Sequence, residues 1–217
     1  MNKATRVIVV TLGVLFGISG MIHGFFEVLQ GNLPTDGMFI SAIGDAHKMW
    51  VHGNEYAFTL IPNFLITGIL AMVVGLAIII WSIGYVHKKN GPLILLLLFI
   101  LLFLVGGGIG QIVFFTLIWT VSTRINKPLK WWRKVLPHSL RRILAKFWLD
   151  LLMISSLLIL FALEIAIFGV VPGQSNPDMI LIIMLSALGA GLVILLLTFF
   201  AGFAHDIERQ ANIVDER

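Results

Sequence analysis

Apolar residues in this chain come as long unbroken runs, not as stripes on otherwise polar segments. Polar side chains are scarce from Val7 to Leu29, Phe58 to Val86, Pro92 to Val121, Phe147 to Val171 and Met179 to Ala204. At ~1.5 Å per residue the first run makes a helix of ~34 Å, enough to cross a hydrocarbon core of ~30 Å. The pattern predicts an all-α, polytopic transmembrane helical bundle. Asn90, Gly91 and Pro92 break the chain after the second run, and Val171 to Pro177 turn it between the last two.

The run from Pro92 to Val121 decides the topology. One straight helix of that length is ~45 Å long and needs a tilt near ~48°. It would also place Arg124, Lys127, Lys130, Arg133, Lys134, Arg141, Arg142 and Lys146 across the membrane from Lys88 and Lys89, against the positive-inside rule. A turn at Gly106, Gly107, Gly108 and Gly110 removes both problems. The expectation is a Gly-rich hairpin or re-entrant element whose arms, 92–105 and 111–123, are ~20 Å each, so that it turns within the outer half of the membrane under cover of protein. One tilted helix is the alternative. The chain is then a single domain, 1–217, of about five or six crossings, with spans near 7–29, 58–86, 92–105, 111–123, 147–171 and 179–204.

Charge orients the bundle. Lys3 and Arg6 start the first span in the cytoplasm, and the connection from Gln30 to Tyr56, with Asp36, Asp45 and Glu55 against Lys48, is external. Both termini are therefore expected in the cytoplasm, in the plasma membrane. The opening MNKATR and the apolar stretch after it could pass for a secretory leader, but that stretch continues to Phe26 and is read as a span. In the basic segment 124–146, apolar residues from Leu140 follow i, i+3, i+4, i+7, which predicts an amphipathic helix lying on the cytoplasmic surface. Lys130, Arg133, Lys134, Arg141 and Arg142 are its candidates for anionic lipid head groups, at ~1 kcal/mol per cation; the same residues can serve only to fix orientation. The net charge of +4 sits at this surface and does not indicate nucleic acid. Cysteine is absent, which removes disulfides, thiolate metal sites and covalent c-type haem attachment.

The candidate chemistry lies in the first span. Gly13, Gly17, Gly20 and Gly24 form one narrow helical stripe, with Glu27 and His23 beside it, so packing through the stripe turns both inward. By helical rise His23 lies ~24 Å from the inner end and Glu164 ~26 Å along its own span. Asn63, Gln111 and Ser186 reach the same layer as pocket-lining candidates. Ionisable groups in hydrocarbon cost at least ~2.5–3.5 kcal/mol, so His23, Glu27 and Glu164 are expected to face one another. Such a set can relay protons, ligate a divalent cation, act as an acid–base pair on a lipid, or simply fix helix packing. Asp45, His47, His52 and Glu55 are a weaker external cation set. No cofactor is required, and no Walker loop, HExxH or GxSxG is present.

The segments MIHGFFEVLQGN, LIPNFLITGIL and GGGIGQ resemble uncharacterised prokaryotic polytopic membrane proteins with no established activity. Separately, IHGFFE, with Gly110 and Gln111, resembles the H-x-x-x-E element of the emopamil-binding sterol isomerase family. That resemblance implies a membrane pocket for a sterol double bond at His23 and Glu27. The leading functional expectation is a small transporter or permease-like component using the His/Glu cluster for protons or a cation. The alternatives are an intramembrane lipid-modifying, isomerase-like enzyme and a non-catalytic subunit of a membrane complex or homo-oligomer.

Overall fold

The computed structural model describes the chain from Met1 to Asp215, with side chains to Ala211. Helices α1 (Lys3–Leu29) and α2 (Phe64–Gly84), then α6 (His138–Phe168) and α7 (Pro177–Asp215), form two antiparallel pairs. All four are long and apolar enough to cross a membrane. Between the pairs lie two short apolar helices, α3 (Gly91–Leu104) and α4 (Ile112–Ser122), and the basic turn α5 (Lys130–Val135). Large apolar side chains such as Val73, Ile80, Leu157 and Val193 cover the outer faces of the long helices. The fold defines an integral membrane protein.

Glycine sets the contact between α1 and α2. A Cβ on Gly17 would stand 2.8 Å from the Gly75 carbonyl oxygen, and one on Gly75 would stand 2.6 Å from that of Gly17. Gly24 and Gly68 meet in the same way, and Gly13 faces Ser82. The α1 stripe thus has a partner stripe on α2 at Gly68, Gly75 and Ser82, and the two backbones approach without intervening side chains.

The two pairs join at the end that holds the N-terminus. The Asp206 carboxylate, 2 % exposed, accepts from the Ala4 and Thr5 backbone N–H groups at 3.0 and 2.9 Å and from the Thr5 hydroxyl at 2.7 Å. It caps α1 from another helix, because the Asn2 side chain is turned to the Arg124 and Lys127 carbonyls. The tail from His205 to Asp215 therefore continues α7 as a helix.

The segment α3–α4 leaves this end and returns to it. Its two feet touch where Asn126 donates to the His87 carbonyl at 2.6 Å, and its arms pack through the stacked rings of Phe99 and Phe115, 4.4 Å apart. At ~1.5 Å per residue the arms of 14 and 11 residues are ~21 and ~17 Å long. Between them the chain is extended as strand β3 (Val105–Gly108) and then a 3-10 turn, Ile109–Gln111.

That strand belongs to a small sheet outside the sequence expectation. β1 (Phe39–Ser41), β2 (Tyr56–Thr59) and β3 pair antiparallel in that order, with Phe39 opposite Phe58 and Ala57 opposite Gly108. The second span consequently starts at Phe64 instead of Phe58. Asn63 is its N-cap, accepting from the Ile66 N–H at 3.1 Å and donating to Asn32 at 2.7 Å, so it lies at the helix end and not ~8 Å inside. A second correction concerns the basic segment. The stretch from Leu140 is not a separate helix; α6 runs unbroken from His138, since no Gly or Pro interrupts it before Gly169.

Substitution tests the glycine contact. Gly75→Ala should destabilise the protein by about 1–3 kcal/mol, read as a lower thermal midpoint in detergent. Gly84→Ala, with open space around the added Cβ, should leave that midpoint unchanged or slightly higher.

Candidate functional site

His23 and Glu27 sit one turn apart on α1, just beneath the sheet, and are 6 % and 0 % exposed. The glycines of β3 make room for them. A Cβ on Gly106 would meet the Glu27 carboxylate, and Gly106 adopts φ +104, where only glycine is unstrained. A Cβ on Gly108 would stand 2.5 Å from His23 Nε2 and 3.1 Å from the Gln111 amide nitrogen. Gln111 is 4 % exposed and donates to the Ser19 hydroxyl at 2.9 Å.

The fourth member is Glu55, the residue before β2. Pairing of β2 with β3 carries it over α1, where a carboxylate oxygen stands 3.5 Å from His23 Nε2. Gln30 ties the loop down by donating to the Ser41 and Ala42 carbonyls, and Ala42 N–H donates to the Glu55 carbonyl at 2.7 Å. Burial pushes the Glu55 carboxyl up to about 7. Four buried polar atoms of the cluster have no hydrogen-bond partner among the described residues: His23 Nδ1, both carboxylate oxygens of Glu27, and Gln111 Oε1.

Cavities lie on both sides of the His23–Glu55 pair. Toward the surface a narrow cleft of about 40 Å³ runs between α1 and α6, past Ser19, Ile22, Leu163 and Glu164. It shares Ile22, Phe26, Glu164 and Ile167 with an outer recess of about 580 Å³ that also reaches His47 and Lys48. Behind the pair, a cavity of about 130 Å³ is bounded by Gln111, Gly108, Phe16, Phe114 and Leu188. The loop strapped across the top is held to the far helix pair. Trp50 donates to the Ala166 carbonyl at 3.0 Å and lies against Gly169, and His52 reaches Asp178 at 3.4 Å.

The expected residues are therefore divided. His23 and Glu164 line one cleft, Glu164 at its exposed mouth, while Gln111 lies on the inner side. Glu27 is behind His23, against Gly106. Ser186 is exposed on α7, and Asn63 caps α2; neither lines the cleft or the inner cavity, because α2 begins later than expected and α7 turns that residue outward. Among the described residues no group of three or more His, Asp or Glu side chains is placed to hold a metal ion, so neither His23, Glu27 and Glu164 nor the external set is assembled as ligands. Asp45 instead pairs with Lys48 at 2.5 Å, whose ammonium holds its carboxyl below the usual range. Of the basic candidates, Lys130, Arg133, Lys134 and Arg142 are exposed, whereas Arg141 is buried in an ion pair with Glu208 and is withdrawn from head groups. No residue pattern in the sequence distinguishes Glu55 from its loop neighbours.

Comparison with protein-family models, curated proteins and solved structures finds no match.

The Glu55 carboxyl links stability to pH. Its folded value of about 7 exceeds the ordinary 4.5, so the folded chain keeps a proton that the unfolded chain gives up. That contribution is full below pH 4.5 and is lost as pH rises through about 7. The thermal midpoint should fall across this window in the parent protein and fall less across it in Glu55→Gln.

Proposed function

We propose that this membrane protein takes a lipophilic molecule sideways from the bilayer and performs acid–base chemistry on its polar end with His23 and Glu55. The observation that carries this reading is the cleft between α1 and α6. It leads from a surface of Ile18, Phe25, Leu160 and Phe161 directly to the imidazole and the carboxyl. Its walls are mainly aliphatic and offer a hydrated ion few replacement ligands, which favours a lipid over ion passage. A carboxyl that titrates near neutrality and an imidazole in contact can give a proton at one atom and accept one at another, a rearrangement that needs no oxidant or reductant. Glu164 at the mouth meets polar parts of the ligand as it enters.

Lipids extracted from the purified protein test the reading. The parent should retain an apolar lipid enriched about tenfold over the bulk membrane, a difference of ~1.4 kcal/mol, and Leu163→Trp, which fills the cleft, should lose it. His23→Gln and Glu55→Gln should retain the lipid and slow its conversion by about 10²–10⁴-fold. Equal lipid composition in parent and Leu163→Trp would refute the proposal.

In the same reading the segment α3–α4 enters the membrane and returns without crossing, with its turn roofed by the sheet on the external side. Cysteines at Lys89 and Lys127 should then be labelled by an impermeant maleimide from one and the same side. Labelling from opposite sides would make the segment a crossing.

A further inference from the structure

The cavity behind the His23–Glu55 pair has a size and a polarity of its own. At about 130 Å³ it is close to the ~150 Å³ apolar cavity that accepts one benzene molecule. Its walls suit a flat guest. Phe16 and Phe114, stacked at 4.6 Å, form one side, and Ala162, Leu163 and Leu188 the others. Polarity is confined to one edge, where His23, Glu55 and Gln111 converge. Gln111 commits its amide nitrogen to Ser19, and its oxygen, buried with the rest of the side chain, has no partner among the described residues. A buried amide oxygen left without a donor costs about 1–3 kcal/mol, which a ligand hydroxyl would recover. Beside it, an imidazole and a carboxyl can each donate or accept according to where their protons sit.

Resting on the lateral-cleft reading, we infer that the ligand is a tailed single-ring lipid of the quinol or quinone class. Its six-membered ring occupies the cavity behind His23, with a ring oxygen at Gln111, Glu55 and His23. Its alkyl or isoprenoid tail runs out through the cleft between α1 and α6. Mixed donor and acceptor edges fit an oxygen that is a hydroxyl in one form and a carbonyl in the other, and the cleft, at about 40 Å³, holds a chain beside the seated ring but has no room for a second ring. A fused four-ring nucleus is too large for the cavity. No electron transfer is assigned to this chain.

Binding of a decyl-tailed benzoquinone to the protein in nanodiscs tests the inference, with decyl alcohol as the tail-only competitor. Trp50, hydrogen-bonded to the cavity residue Ala166, provides the signal. The quinone should quench its fluorescence saturably, and Trp50→Phe should remove the saturable part. Decyl alcohol should compete at least about tenfold more weakly, and Gln111→Leu should bring the two within about twofold. Ala166→Phe, with its ring in the cavity, should abolish saturable quenching at an unchanged thermal midpoint; if it fails to fold, Gln111→Leu decides alone. Equal competition by the alcohol, or full quinone preference in Gln111→Leu, would overturn the ring assignment while leaving the lateral-lipid reading standing. No saturable binding of either probe, together with no retained lipid, would remove both.

Discussion

A buried peptide backbone must find its hydrogen bonds within the protein, and this constraint governs the end of the molecule that carries the sheet. At Val105 the chain stops being helical and runs extended for four residues between two half-length helices. Every peptide group there must find a partner in protein. β2 supplies the ladder and β1 backs it, so a segment with the composition of an external loop is drawn onto the bundle. Glu55 reaches His23 as a consequence of that pairing. The site thus exists because an unsatisfied strand had to be covered.

Close backbone approach supplies the other half of the geometry. The glycines of α1 and α2 bring two helices together without side chains between them, which fixes the rotation of α1 and points His23 and Glu27 at β3. At the opposite end Asp206 captures the free N–H groups of α1, and so joins the two helix pairs where the N-terminus lies. Toward the sheet the pairs are bridged by Trp50 and His52, with the cleft and the inner cavity between them. A protein tied at one end and strapped at the other keeps a polar cluster buried while leaving a sideways path to it.

Much of this was legible from residue pattern. Long apolar runs require helices in a membrane, the glycine stripe beside His23 and Glu27 marks an inward face, and the glycines at 106–110 mark a break in a run too long for one ordinary crossing. Helical rise places Glu164 and His23 at one depth, and packing of α1 against α6 puts both on the cleft. Asn63 and Ser186 were placed by the same arithmetic and fell outside it. Depth depends on where a helix begins, and rotation depends on its neighbours.

The sequence by itself determined that the chain is a membrane bundle with an acid and an imidazole on the inner face of its first span, since local periodicity and burial cost suffice for that. Only the tertiary structure decided that Tyr56–Thr59 is a strand, that the basic segment feeds one continuous helix, that Arg141 turns inward, and that Glu55 is the partner of His23. Each of these depends on backbone or charge being satisfied by residues far away in the chain, and no local pattern carries that information.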